Sequence, residues 1–86
     1  MPLISRFFGI SIYMYYEDHA PPHFHCKYGD SEALININEL MVIKGDIPPR
    51  ALGLVIEWAT QHKAELLENW HRGENFEAFE KIDPLT

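Results

Sequence analysis

The fold of this chain is decided in the stretch His23-Phe24-His25-Cys26-Lys27-Tyr28-Gly29-Asp30-Ser31-Glu32-Ala33-Leu34-Ile35-Asn36-Ile37-Asn38. His23 to Tyr28 is an extended pattern, Tyr28-Gly29-Asp30-Ser31 is a turn signal, and Glu32 to Asn38 alternates again with Ala33, Ile35 and Ile37 on one side. Working back, Ile10 to Tyr16 also has period two: Ile10, Ile12, Met14 and Tyr16 point one way, Ser11, Tyr13 and Tyr15 the other. Glu17-Asp18-His19-Ala20-Pro21-Pro22 interrupts it, because two prolines remove two backbone donors and cannot sit in a ladder. Working forward, Leu40 to Ile43 reads as a short further strand closed by Lys44-Gly45-Asp46. Such close spacing predicts an antiparallel meander of three or four strands.

Near Pro48 the period changes. Leu52, Val55, Ala59, Leu66 and Trp70 recur at the three-and-four spacing of one helix face. Asp46 is the expected cap, Pro48 and Pro49 suit a first turn, and Gly73 is the expected terminator. An uninterrupted helix there would be roughly 36 Å long at 1.5 Å per residue. The predicted class is therefore α+β: a meander over about residues 4–45, and one long helix over about 48–72 packed on one sheet face. Residues 73–86 form a tail that docks as a last strand or helical turn, or frays, and the whole chain, 1–86, is expected to be a single domain.

Composition bounds the function. The 86 residues are 47% hydrophobic, ordinary for a globular chain and too rich for a disordered one. A net charge of −6 argues against a general nucleic-acid coat protein. One cysteine, Cys26, excludes an internal disulfide framework. No stretch reaches the ~20 apolar residues that span a bilayer, so no membrane role is expected and a cytoplasmic location is the default.

Alternation then assigns the sheet faces. With Ile10, Ile12 and Met14 toward the helix, Phe24, Cys26, Tyr28, Ala33, Ile35 and Ile37 follow them inward. The outer face carries Tyr13, Tyr15, His23, His25, Lys27, Glu32, Leu34 and Asn36, with tyrosines and histidines where a plain solvated face would be charged and hydroxylic. His23 and His25 lie about 6.6 Å apart on one strand face, close enough to share an ion or a phosphodiester. Three assignments stand side by side. His23 and His25, with His19 or Asp18 from the proline loop, would form a divalent-metal site such as zinc. His23 and His25 would alternatively act as a catalytic acid–base pair, with Lys27 holding phosphate charge. The third is structural, the imidazoles merely fixing the proline loop. Tyr13, Tyr15, Leu34 and Asn36 are the expected ligand or partner contacts. His62 is expected near the apolar face of the helix, and Trp58 and Trp70 in core or partner burial.

Tyr15-Tyr16-Glu17-Asp18-His19-Ala20-Pro21-Pro22-His23-Phe24-His25 resembles the D-H-x-P-P-H-F-H segment of bacterial domain-of-unknown-function family 4160. The resemblance extends over nearly the whole chain, through Ile4 to Ile10, Glu32 to Ile35, and Arg50-Ala51-Leu52 to Trp70. Cys26 stands where the family pattern has a plain aliphatic. The resemblance implies a small cytoplasmic protein, often encoded beside a second small protein in a toxin–antitoxin-like module, and supplies no mechanism. Two classes of function follow. One is a toxin-like interaction protein whose partner, the neighbouring gene product or a homodimer mate, covers the histidine–tyrosine face. The other is a small hydrolase, metal-dependent or histidine-based, acting on RNA or another phosphodiester. Only Arg6, Lys27, Lys44 and Arg50 supply positive charge in the first fifty residues, which limits any extended RNA track.

Overall fold

A computed structural model describes residues 2–86. Five strands, β1 (Leu3–Phe7), β2 (Ile10–Tyr13), β3 (His23–Tyr28), β4 (Ser31–Asn36) and β5 (Val42–Asp46), form one antiparallel sheet in the order β1-β2-β3-β4-β5. Two helices follow, α1 (Pro49–Gln61) and α2 (Lys63–Glu74). The α+β class and the meander agree with the sequence pattern, but the sheet has five strands rather than three or four.

The extra strand is β1, hidden because its turn lacks the usual residues. Phe7 pairs with Ile10, so Phe8 and Gly9 alone make the turn, with φ of 47° and 78°. Positive φ at both central residues is the requirement of a I′ hairpin, ordinarily met by Asn-Gly. Here Phe8 meets it with an exposed ring. The last strand is also shifted: Lys44-Gly45-Asp46 does not close it but lies within it, Lys44 pairing with Leu34 and Asp46 with Glu32. Gly45 takes φ 75°, and a Cβ there would lie 2.3 Å from the Glu32 carbonyl oxygen, so only glycine lets β5 approach β4 so closely.

The long helix is broken at His62, whose ψ of 22° departs from helical geometry. Its amide donates to Ala59 O, the tighter i−3 bond that ends α1, and its carbonyl accepts from Leu66 to start α2. Asp46 caps nothing, being part of β5; Pro48 holds the N-cap position without a side-chain bond. Gly73 lies inside α2, where a Cβ would press within 3.0 Å of the Phe79 ring. The helix ends instead at Asn75 in a Schellman arrangement, Glu77 N–H donating to Arg72 O and Phe76 N–H to Gly73 O, with Phe76 at φ 58°.

Ile10, Ile12, Met14, Phe24, Cys26, Ala33, Ile35 and Ile37 are all buried, as the alternation requires. Trp58 of α1 is the hub, its ring 5.3 Å from Phe7 and 5.9 Å, edge-on, from Phe24. Tyr28 is the exception on the inner face: it remains 39% exposed, since it ends β3 beside the Gly9 turn. The tail is neither strand nor helix but a strap. Asn69, fully buried, donates to Glu80 O and accepts from Glu80 N–H; Trp58 Nε1–H donates to Asp83 O, and Ile82 N–H to Ile4 O. Ile82 and Leu85 are buried beneath it. No helix among the described residues is long and apolar enough to cross a membrane.

The Asn69 clamp has a measurable consequence. Asn69→Ala strands both Glu80 backbone groups at a partly buried position and should lower stability by about 2 kcal/mol. Urea unfolding followed by Trp fluorescence reads this directly; a change below about 0.5 kcal/mol would mean that water replaces the clamp.

Candidate metal centre

β2 leaves the sheet after Tyr13, and residues 14–22 loop back to deliver the chain into β3. Glu17, in the left-handed region at φ 55°, turns the loop so that Asp18 comes over the start of β3. Asp18 Oδ1 accepts from the His19 amide, which leaves Oδ2 facing the sheet. On β3, burial of Phe24 sends its neighbours His23 and His25 to the opposite face. Asp18 Oδ2 then lies 3.0 Å from His23 Nε2 and 3.1 Å from His25 Nε2.

Both imidazoles are held. His23 is 5% exposed, with the Trp70 ring of α2 at 5.3 Å. Its Nδ1–H donates to Pro21 O at 2.8 Å, and a carbonyl can only accept, so in the neutral ring Nε2 carries a lone pair. That lone pair faces a carboxylate, and Nε2 is a buried atom without a hydrogen-bond partner. His25 packs edge-on against Tyr15, ring centres 4.5 Å apart, and its Nδ1 lies 3.4 Å from Glu32 Oε2. His25 thus stands between two carboxylates. Four ring nitrogens each face an oxygen acceptor, yet two neutral imidazoles own only two protons. The constellation is two positive charges short.

A single divalent cation or two extra protons would supply them. Two protons would place charges on adjacent rings 5.3 Å apart between centres, whereas one ion would take the place of both. A divalent ion suits the donor set better. The ligand atoms of Asp18, His23 and His25 all lie within 4.8 Å of one another. The two Asp18–histidine separations are near the roughly 3.3 Å edge of a tetrahedron with bonds of about 2.0–2.1 Å. With Nε2 of both rings given to an ion, both Nδ1–H groups would point at acceptors, Pro21 O and Glu32 Oε2. Such outer hydrogen bonds orient metal-ligating histidines and fix their tautomer.

Electrostatics follow the same geometry. Burial works against ionisation of Asp18, but the hydrogen bonds from His25 and the His19 amide, with the charges of His23 and His25, outweigh it and hold the carboxyl below its ordinary value. Burial, and after it Glu32, Tyr13 and Asp18, push the Tyr15 phenol up. Cys26, buried on the inner face, has its thiol pushed up to about 11, chiefly by burial, and takes no part in the site.

Not every expected residue converges. His19 is exposed and its ring is not in the cluster; Asp18 takes the place it was expected to share. Lys27 lies farther along β3, exposed and paired with Ser11 and Glu32. Tyr13 and Leu34, both half-buried, flank His25 on the neighbouring strands, and Asn36 lies opposite His23 with its side-chain oxygen accepting the Glu39 amide. His62, half-buried with its ring 5.6 Å from Trp58, pairs with Glu65 at 2.6 Å, and the exposed His71 pairs with Glu74 at 3.1 Å, both away from the cluster. Sequence reasoning missed Lys44, which with His25, Glu32, Leu34 and Gly45 lines a shallow pocket of about 370 Å³ on the same face. Ending the last strand at Ile43 hid it.

A family model described as Domain of unknown function (DUF4160) matches residues 9–71. The chain belongs to this family. The matched span contains Asp18, His23, His25, Glu32, Lys44 and Trp70, and excludes β1 and the C-terminal strap. No curated protein and no solved structure matches the chain.

The tautomer is open to direct measurement. In chelator-treated protein at high pH, nitrogen-15 NMR should place the His23 proton on Nδ1. A proton on Nε2 would remove the lone pair from the cluster and with it the case for a ligand.

Proposed function

We propose that this protein is a small metal-dependent hydrolase of phosphate esters, with Asp18, His23 and His25 holding a divalent ion of the zinc type. The observation that carries this is that all four imidazole nitrogens of His23 and His25 face oxygen atoms, with Asp18 Oδ2 shared between the two rings. Three protein ligands and an open fourth position are the usual arrangement of catalytic zinc. The ion's chemistry there would be to polarise phosphoryl oxygen and acidify water. The chain's own groups do the rest. Pro21 O fixes the His23 ring, Glu32 Oε2 lies 3.4 Å from His25 Nδ1, and Trp70 excludes solvent from His23. Glu32, half exposed at the pocket wall, is placed to carry a proton. In the reaction the oxygen of water bonds to phosphorus and the P–O bond to the leaving alcohol breaks. The proton given up by water ends on that alcohol.

Partner binding at the sheet edge beside the site is favoured by a separate observation. Met41, Val42 and Ile43 are exposed at and beside edge strand β5, next to the pocket. A neighbouring gene product or a second copy seated there would also cover His25 and Lys44. In the cytoplasmic, toxin-like module that the family resemblance implies, covering this face is how the partner would silence the site.

Zinc should raise the melting temperature of the wild-type protein, at 100 times its Kd by the equivalent of about 2.7 kcal/mol. Neither His23→Ala/His25→Ala nor the milder Asp18→Asn should respond. The zinc-loaded wild type should cleave a chromogenic phosphodiester, lose activity to a chelator and regain it with zinc. Absence of any thermal shift at hundreds of micromolar zinc would overturn the metal centre, and uptake without turnover would overturn the hydrolase.

A further inference from the structure

Resting on that metal centre, we infer that the pocket beside it is a seat for a small phosphate ester about the size of one nucleotide, with Lys44 as the residue that binds its phosphoryl oxygens. The pocket and the metal cluster share a wall, because His25 belongs to both. Across the sheet, His25 pairs with Leu34 and Leu34 with Lys44, so the three lie in one row on neighbouring strands. At about 4.8 Å per strand, Lys44 stands roughly 10 Å from His25, with Leu34 between them as floor. A ligand in this row meets the metal ligands at one end, an apolar surface in the middle and an ammonium group at the other.

Charge and size decide the class of ligand. Lys44 is the one cation lining the pocket among the described residues, and Glu32 is the one carboxylate. A neutral or cationic ligand would have no counterpart for Lys44, whereas an oxyanion shared between it and a divalent ion would be held at both ends. A volume of about 370 Å³ is near the lower end for small-molecule sites, room for one nucleotide-sized group. An extended nucleic acid needs a run of bases for successive phosphates, and among the described strand residues the outer face adds only Lys27 and Arg6, which share one row through Ser11. The glycine after Lys44 is part of the device: a Cβ there would meet Glu32 O at 2.3 Å, so glycine lets β5 lie against β4 with Lys44 lining the pocket.

The test uses inorganic phosphate, a nucleoside monophosphate and a single-stranded ten-nucleotide RNA, each titrated calorimetrically into zinc-loaded full-length protein. Zinc affinity is measured separately for every variant. The wild type should bind phosphate and the monophosphate, and Lys44→Ala should weaken both at least tenfold with zinc affinity unchanged. Lys44→Arg should keep most of the binding, and Lys81→Ala, beyond the pocket, should behave as wild type. Equal phosphate binding by Lys44→Ala would overturn the seat while leaving the metal centre intact. RNA binding more than tenfold tighter than the monophosphate, with a steep salt dependence, would overturn the small-ester class in favour of an RNA track. Failure of the wild type to take up zinc would overturn the metal centre first, and the seat that rests on it.

Discussion

Everything in this small protein depends on Phe24 being buried edge-on beneath Trp58. A strand side chain has only two choices, and one residue's choice dictates its neighbours'. With Phe24 and Cys26 committed to the core, His23 and His25 must stand on the other face. The same commitment sets β2 and β4, whose Ile12 and Ile35 sit beside them across the ladder. Slipping β3 by one residue would turn both imidazoles into the apolar core beside Trp58 and the phenyl ring out of it, so the hydrophobic effect itself aims the histidines.

Aiming is not positioning, and the second layer of organisation comes from chain that the sheet does not include. The loop between β2 and β3 carries Asp18 over the histidines, and its Pro21 carbonyl accepts the hydrogen bond from His23 Nδ1–H. Trp70 of α2 walls the same ring, and Phe79 of the strap stacks on Tyr16 at 4.6 Å in that loop. The break at His62 allows α2 to begin afresh and present both Leu66 and Trp70 to buried positions. Elements remote in sequence thus meet around one carboxylate oxygen.

The sequence pattern conveyed the meander, the inner and outer faces of β2 to β4, the helical half and the H-x-H pair. It failed where local chemistry was atypical: Phe8 in a I′ turn and Phe76 at a helix C′ position both occupy φ values that glycine or asparagine usually takes. Gly45 misled in the opposite sense. It reads as a strand end, yet it is the residue that permits a strand to pass close to its neighbour. The consequence reached the site, because a strand ended too early left Lys44 out of the pocket.

Periodicity alone determined which side chains share a face, because alternation is a property of each strand taken singly. That His23 and His25 lie together was therefore legible from two residues of spacing. Which third ligand joins them was not: His19 and Asp18 are adjacent in the chain, and only the left-handed turn at Glu17 and the hydrogen bond of the His19 amide bring Asp18 inward. The tautomer of His23, the second carboxylate at His25 and the lysine across the pocket likewise arise from contacts between segments. No one-dimensional pattern encodes them, since hydrogen-bond direction and charge balance exist only once the folded backbone has fixed the donors and acceptors in space.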